Sequence, residues 1–193
     1  MSSISVPQVS APGRVLADLV PGERVRDAVL VGVFAMIIGL SAQVAVPLPF
    51  TPVPVTGQTF AVLLGAAALG AGRATLGAGL YLGLGFAGIP WFAATGGAST
   101  GYIVGFVLAS VVVGRLARKG NDRTVTRTFL LMVLGNLVIY AVGVPVLSAV
   151  LGVGLREGLL LGAVPFLIGD LAKIALAVAV LPATWKLVDR REP

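Results

Sequence analysis

The chain contains no cysteine and no histidine. That removes disulfides, thiol nucleophiles, Ser-His-Asp arrangements and the usual zinc sites. Charge is scarce as well. Asp, Glu, Lys and Arg make up 11% of 193 residues, against about 25% in ordinary soluble domains. Aliphatic residues fill the space: 57% of the chain is hydrophobic, and the mean hydropathy is +1.00. Such a composition belongs to an integral membrane protein. A net charge of +6 would suit nucleic acid, but the basic residues gather where apolar runs end. That is the distribution of a topology signal, so the expected surroundings are a lipid bilayer and no nucleic acid.

The uncharged runs predict the spans. From Ala28 to Gly72 no residue is charged, a run of 45, and from Ala74 to Gly114 there are 41 more. A membrane helix needs about 20 residues, so each run holds two helices. Pro47, Pro49, Pro52 and Pro54 break the first run, and Gly88-Ile89-Pro90 with Gly96-Gly97 breaks the second. Thr128 to Leu155 predicts a fifth helix and Gly158 to Trp185 a sixth. The expected fold is an all-α bundle of six transmembrane helices. Residues 28–185 form the membrane domain, with 1–27 as an N-terminal tail and 186–193 as a C-terminal tail. The N-terminal residues carry charges and lack a short apolar core before a cleavage site, so they do not read as a secretory signal. A short amphipathic segment is expected around Arg14 to Val20.

In a six-helix chain, Arg14, Arg24, Arg26, Arg73, Arg115, Arg118, Lys119, Arg123, Arg127, Lys186, Arg190 and Arg191 fall on one side, and only Arg156 on the other. The positive-inside rule puts both termini in the cytoplasm. The Pro-rich segment Pro47 to Gln58 and the Gly-rich segment Gly88 to Thr100 then lie outside. Irregular backbone at that depth must be covered by protein or line a cavity, so the two segments are expected to lid an outward-facing pocket. The alternative is a pair of plain interfacial connections, with Trp91 as a headgroup anchor. Ala28, Gly32, Ala35, Gly39 and Ala42 form a stripe of small residues on the first helix. It marks a close helix approach, either within this chain or with a partner.

Two charges stand inside the last apolar run: Asp170 and Lys173. Charge at membrane depth is unfavourable and usually functional. At a spacing of i, i+3 the two share a helix face, where they either clamp a polar ligand or neutralise one another. Asn136 and Tyr140 share a face of the fifth helix, Gln58 and Thr59 begin the second, and Tyr81 and Tyr102 lie on the third and fourth. A site of this kind within apolar walls suits a small neutral-to-anionic solute with several hydrogen-bonding atoms. For Asn136, a helix-to-helix hydrogen bond is the alternative. Two apparent motifs fail. Gly83-Leu84-Gly85-Phe86-Ala87-Gly88 matches GxGxxG but follows no strand, and Gly65 with Gly70 has P-loop spacing but lacks the following Lys-Ser/Thr. No cofactor is expected, and any ATP dependence must come from a partner.

The elements Pro52-Val-Pro54-Val-Thr-Gly-Gln58-Thr, Tyr81 through Gly88-Ile-Pro90-Trp-Phe92, Gly101-Tyr102 with Gly105-Phe106, Gly135-Asn136 with Tyr140 and Gly143, and Pro165-Phe166 with Gly169-Asp170-Leu-Ala-Lys173 resemble the BioY family. These are the biotin-specific S components of energy-coupling factor transporters. The resemblance runs in order through all six expected helices, and its last block is the most specific. It implies a biotin pocket near the outer surface and uptake across a prokaryotic plasma membrane. The implied partners are an energy-coupling transmembrane protein and ABC-type ATPase subunits; the stripe Ala28, Gly32, Ala35, Gly39 and Ala42 is the candidate docking face for the former if it does not pack within the chain. Asp170 would accept from the ureido N–H groups, and Asn136 and Gln58 would bond the ureido oxygen or nitrogens. Lys173 would pair with the valerate carboxylate or hold Asp170 ionised, while Tyr81, Trp91 and Tyr140 supply faces for the fused rings. Many relatives carry a basic residue in the Gly-rich loop. Thr95 to Tyr102 has none here, which leaves Lys173, Ser99 or backbone amides for a carboxylate. Competing readings are an S component for thiamine or riboflavin, a passive channel, and an intramembrane enzyme. The enzyme is disfavoured by the lack of His, Cys and paired carboxylates.

Overall fold

A computed structural model describes residues 13–20, 24–89 and 97–190. Trp91, expected at the site, lies outside them. In chain order the elements are α1 Arg24–Gln43, β1 Ala45–Leu48, β2 Thr51–Thr56, α2 Gln58–Leu69, α3 Ala71–Phe86, α4 Thr100–Arg118, α5 Val125–Leu151, α6 Leu155–Gly162 and α7 Leu167–Asp189. Single 3-10 turns occupy Leu16–Leu19 and Val164–Phe166. Among the described residues, four stretches are long and apolar enough to cross a membrane: α1, α4, α5 and the run Leu155–Asp189. The helices α2 and α3 have 12 and 16 residues, shorter than a full span.

The Pro-rich segment is a β-hairpin, where the sequence led us to expect irregular backbone. Ala45 pairs with Thr56, Val46 with Val55 and Leu48 with Thr51, antiparallel, with an irregularity between Val46 and Leu48 where Pro47 supplies no donor. Side chains alternate along β2. Thr51 and Val53 turn inward and are buried, while Pro52 between them is exposed.

The sixth expected helix is also interrupted. Ala163 leaves helical geometry (φ −130, ψ −53) and Pro165 follows in the 3-10 turn, because proline can neither donate nor tolerate the preceding helical turn. The break frees the carbonyl of Gly162, and the Tyr102 hydroxyl donates to it at 2.7 Å. A side chain at Gly162 would meet that hydroxyl, 2.3 Å from an added Cβ. Asp170 therefore sits in the first turn of α7, not at mid-helix.

Glycine permits close helix contacts. Gly101 and Gly105 of α4 lie against Val146 and the Ile139 backbone of α5, with an added Cβ falling 2.5 and 2.9 Å from the nearest atoms. This GxxxG spacing does what it does between membrane helices generally, letting backbones touch. On the first helix the stripe turns mostly inward. Ala35, Gly39 and Ala42 are buried within the chain, Gly32 is half-buried and Ala28 exposed. The Phe34 ring wedges between Gly65 of α2 and Gly77 of α3. The expected partner-docking face is thus largely an internal packing face. The residues left outward are large: Val29, Val33, Met36, Ile37 and Leu40.

At the end of the bundle opposite the hairpin, residues 13–20 are tied down. Gly13 N donates to Arg118 O at 2.8 Å, Arg123 reaches the Arg14 carbonyl at 3.1 Å, and Val15 is fully buried. Asp18 pairs with Arg73 at 2.7 Å. Burial opposes the Asp18 charge, but Arg73, the Val15 N–H and Arg118 outweigh it and hold the carboxyl below its ordinary range. Trp185, near the end of α7, donates its indole N–H to buried Asp122 at 2.6 Å, beneath the Arg123 guanidinium, 4.1 Å from the ring centre.

Candidate functional site

A cavity of about 540 Å³, mouth included, opens at the hairpin end of the bundle. Val53 and Val55 of β2 form one wall, and Tyr102, Ile103 and Phe106 of α4 another. Tyr102 meets Tyr140 and Phe166 edge to face, with ring centres 6.4 and 6.5 Å apart. These packed aromatics present a rigid apolar surface.

The polar groups gather at one side. Asp170 is 4% exposed, and it lies in the first turn of α7, where the helix dipole favours a carboxylate. The Tyr140 hydroxyl donates a short hydrogen bond to Asp170 Oδ2. Lys173 Nζ donates to Asp170 Oδ1 at 3.3 Å and to Thr59 Oγ1 at 2.7 Å. A chain of contacts thus crosses from α5 through α7 to α2. Gln58, in the first turn of α2, lines the same cavity. Its amide nitrogen donates to the Tyr81 hydroxyl at 2.8 Å, and its oxygen accepts from Thr56 at 3.1 Å. With both ends held, the amide has a fixed orientation.

Of the seven expected ligand-binding residues, Gln58, Tyr140, Asp170 and Lys173 line this cavity together. Tyr81 stands behind Gln58, fully buried, and orients it. Asn136 lines a smaller neighbouring cavity with Lys173, Thr59 and Ala177. Residues 90–96, and so Trp91, lie outside the described residues.

A family profile, that of the BioY family, matches residues 11–190. The chain belongs to the BioY family. The biotin transporter BioY of Thermotoga maritima is 36% identical over 173 residues, covering 86% of this chain and 99% of the relative. The biotin transporter BioY of Rhizobium etli is 30% identical over 167 residues, covering 79% and 89%. Among solved structures, the S-component for biotin from an ECF-type ABC transporter, a crystal structure at 2.1 Å, superposes with a TM-score of 0.74 at 21% identity. It covers 84% of this chain and 92% of that one, a likeness in fold.

Thr59 was noted with Gln58 at the start of the second helix, but the sequence reading gave it no role. A threonine near a helix start ordinarily bonds its own backbone, so nothing flagged it as the acceptor for Lys173. Its position beside Gln58, on an intramembrane helix that faces the one intramembrane lysine, was the available signal. Ser99 lies at the mouth just before α4.

Proposed function

We propose that this chain is a biotin-binding substrate-capture subunit, an S component, in a prokaryotic plasma membrane. Its pocket faces outward, and it delivers biotin with an energy-coupling transmembrane protein and ABC-type ATPase subunits. One observation carries the reading: an apolar, aromatic-walled cavity with a single polar side made by Tyr140, Asp170, Lys173, Thr59 and Gln58. Biotin has the complementary shape, an apolar thiophane and chain with one compact ureido head. Asp170 accepts from a ureido N–H group and Gln58 bonds the ureido oxygen or the other nitrogen. Tyr102, Tyr140 and Phe166 cover the ring faces.

The membrane disposition follows from charge. Arg73, Arg115, Arg118, Lys119, Arg127, Lys186 and Arg190 lie at the end away from the hairpin, which supports a cytoplasmic position for that end. We count α2 and α3 as crossings together with the four longer spans, six in all, with α2 completed toward the outside by the hairpin. Titration of the detergent-purified protein with biotin tests the reading. Stoichiometric binding, with biotin recovered chemically unchanged, is expected. Preferential binding of thiamine or riboflavin, or chemical conversion of biotin, would overturn it.

A further inference from the structure

Tyr102 stands where α4, α5 and the break before α7 meet. It begins α4, lines the ligand pocket and is 7% exposed. Gly143 of α5 makes room for its ring, since an added Cβ there would lie 2.5 Å from the nearest ring carbon. The ring meets Tyr140 of α5 on one edge and Phe166 of the 3-10 turn on another. Its hydroxyl donates to the Gly162 carbonyl at the end of α6, at 2.7 Å. In a continuous α-helix that carbonyl would accept from the N–H four residues on, that of Phe166. Here the Phe166 N–H donates to Ala163 O at 3.0 Å, the i, i+3 bond of a 3-10 turn. The tyrosine hydroxyl has taken the place of a backbone donor.

We infer that the Tyr102 hydroxyl is a positioning group for Asp170: by holding the Gly162 carbonyl it fixes the turn from which α7 starts, and so sets the Asp170 carboxylate against Tyr140. Asp170 lies in the first turn of α7, only four residues past Phe166, so little backbone separates it from the break. Without the hydroxyl, the buried Gly162 carbonyl would lack a donor, and such a group is strongly disfavoured. Pro165 has no N–H to offer it, which leaves the Phe166 N–H, the donor of the α-helical register. An α-helical turn and a 3-10 turn differ in rotation and rise per residue. Moving the Phe166 bond from Ala163 to Gly162 would therefore re-aim every side chain that follows, and Asp170 is the first charged one. The Tyr102 ring remains a wall of the pocket, while its hydroxyl, with its proton committed to Gly162, acts through Asp170.

The inference rests on the biotin reading for one of its two tests. In the first, biotin affinity is measured on the folded fraction of wild type, Tyr102→Phe, Asp170→Asn and the double variant. Tyr102→Phe keeps the ring and should weaken binding about fivefold in wild type, but about twofold or less once Asp170 is neutral, because coupled positions are not additive. Equal losses in both backgrounds would mean that the hydroxyl serves biotin without Asp170, and no loss in wild type would make it a structural bond alone. Either result overturns the inference. Gly162→Ala keeps the hydroxyl but sets a Cβ against it, should give the same coupled loss, and serves where Tyr102→Phe fails to fold. The second test needs no biotin. Crystal structures of wild type and Tyr102→Phe should differ at Asp170, with Oδ2 in hydrogen-bond reach of the Tyr140 hydroxyl in the first and beyond about 3.2 Å in the second. An unchanged contact in the variant overturns the inference, whereas a wild type that binds no biotin, with the displacement still seen in the variant, overturns the proposed function alone.

Discussion

Asp170→Asn separates a ligand contact from a structural ion pair. The amide has the shape of the carboxylate and still offers Oδ1 to Lys173, but the charge is gone. Hydrogen bonds to charged groups contribute about 1.5–3 kcal/mol and neutral ones about 0.5–1.5. With one ureido N–H donating to Asp170, neutralisation should weaken biotin by about 1.5 kcal/mol, roughly tenfold. The opposing effect is on folding, since removing one partner of a buried pair ordinarily destabilises by about 3–5 kcal/mol. Here that loss is moderated. The Lys173 side chain is 19% exposed, and its shorter bond, 2.7 Å to Thr59, survives the change. A loss of about 1–3 kcal/mol in folding is therefore expected, which leaves most of the protein folded. Calorimetric titration with biotin and thermal unfolding in detergent measure the two effects separately. Combining Asp170→Asn with Lys173→Met should restore stability but not affinity. A double variant that regains both, or a folded Asp170→Asn protein with wild-type affinity, would show that the pair only holds helices together.

Other perturbations follow from the same geometry. Tyr102→Phe leaves the Gly162 carbonyl at the α6–α7 break without its donor, and thermal unfolding should report about 1–3 kcal/mol of lost stability. Ala35→Leu forces a larger side chain into a buried face of α1 and should destabilise by about 1–3 kcal/mol, seen as a lower unfolding temperature in the isolated protein. Burial raises the Asp122 carboxyl above its ordinary value of 3.8, against the pull of the Trp185 N–H and Arg123. Its neutral form is favoured in the fold, so the stability it contributes is full at acid pH and lost as pH rises through the raised value. Asp122→Asn keeps an acceptor for Trp185 and should flatten that decline in a pH series of unfolding temperatures. Single cysteines at exposed Pro52 and Lys119 should react with impermeant reagents from opposite sides of the membrane; Arg123, being buried, is a poor position for labelling.

The long apolar spans were legible because charge is excluded from lipid, and four such stretches are present among the described residues. Asp170 and Lys173 stood out for the same reason, and Gln58 and Tyr140 by sharing the expected depth. The hairpin was not legible. Four prolines mark a helix break, yet β-pairing tolerates them at an irregularity and at outward positions, which depends on register. The α6–α7 break was hidden because Gly162 and Pro165 fall within a run whose average hydropathy is that of a span. The stripe on α1 exposed a limit of another kind. Spacing identifies a face but not what covers it, and in lipid the large apolar side chains Val33, Met36, Ile37 and Leu40 have no reason to turn inward. The small residues did so instead, because they let Phe34 and its neighbours approach α2 and α3.

The pocket lies where helices begin. Gln58 and Thr59 stand in the first turn of α2, Ser99 and Tyr102 at the start of α4, and Asp170 in the first turn of α7. Three helix starts therefore converge on one cavity, each the partly positive end of a helix dipole. Lys173 adds a full positive charge, and Asp170 supplies the single negative one. The balance is positive, and it acts inside apolar walls where charge is weakly screened. A cationic solute would face unfavourable potential throughout and would compete with Lys173 for Asp170. A solute with a neutral head that donates to Asp170 and a tail that ends in a carboxylate meets favourable potential at both ends. That asymmetry weighs against a thiamine-type cargo and for one shaped and charged like biotin.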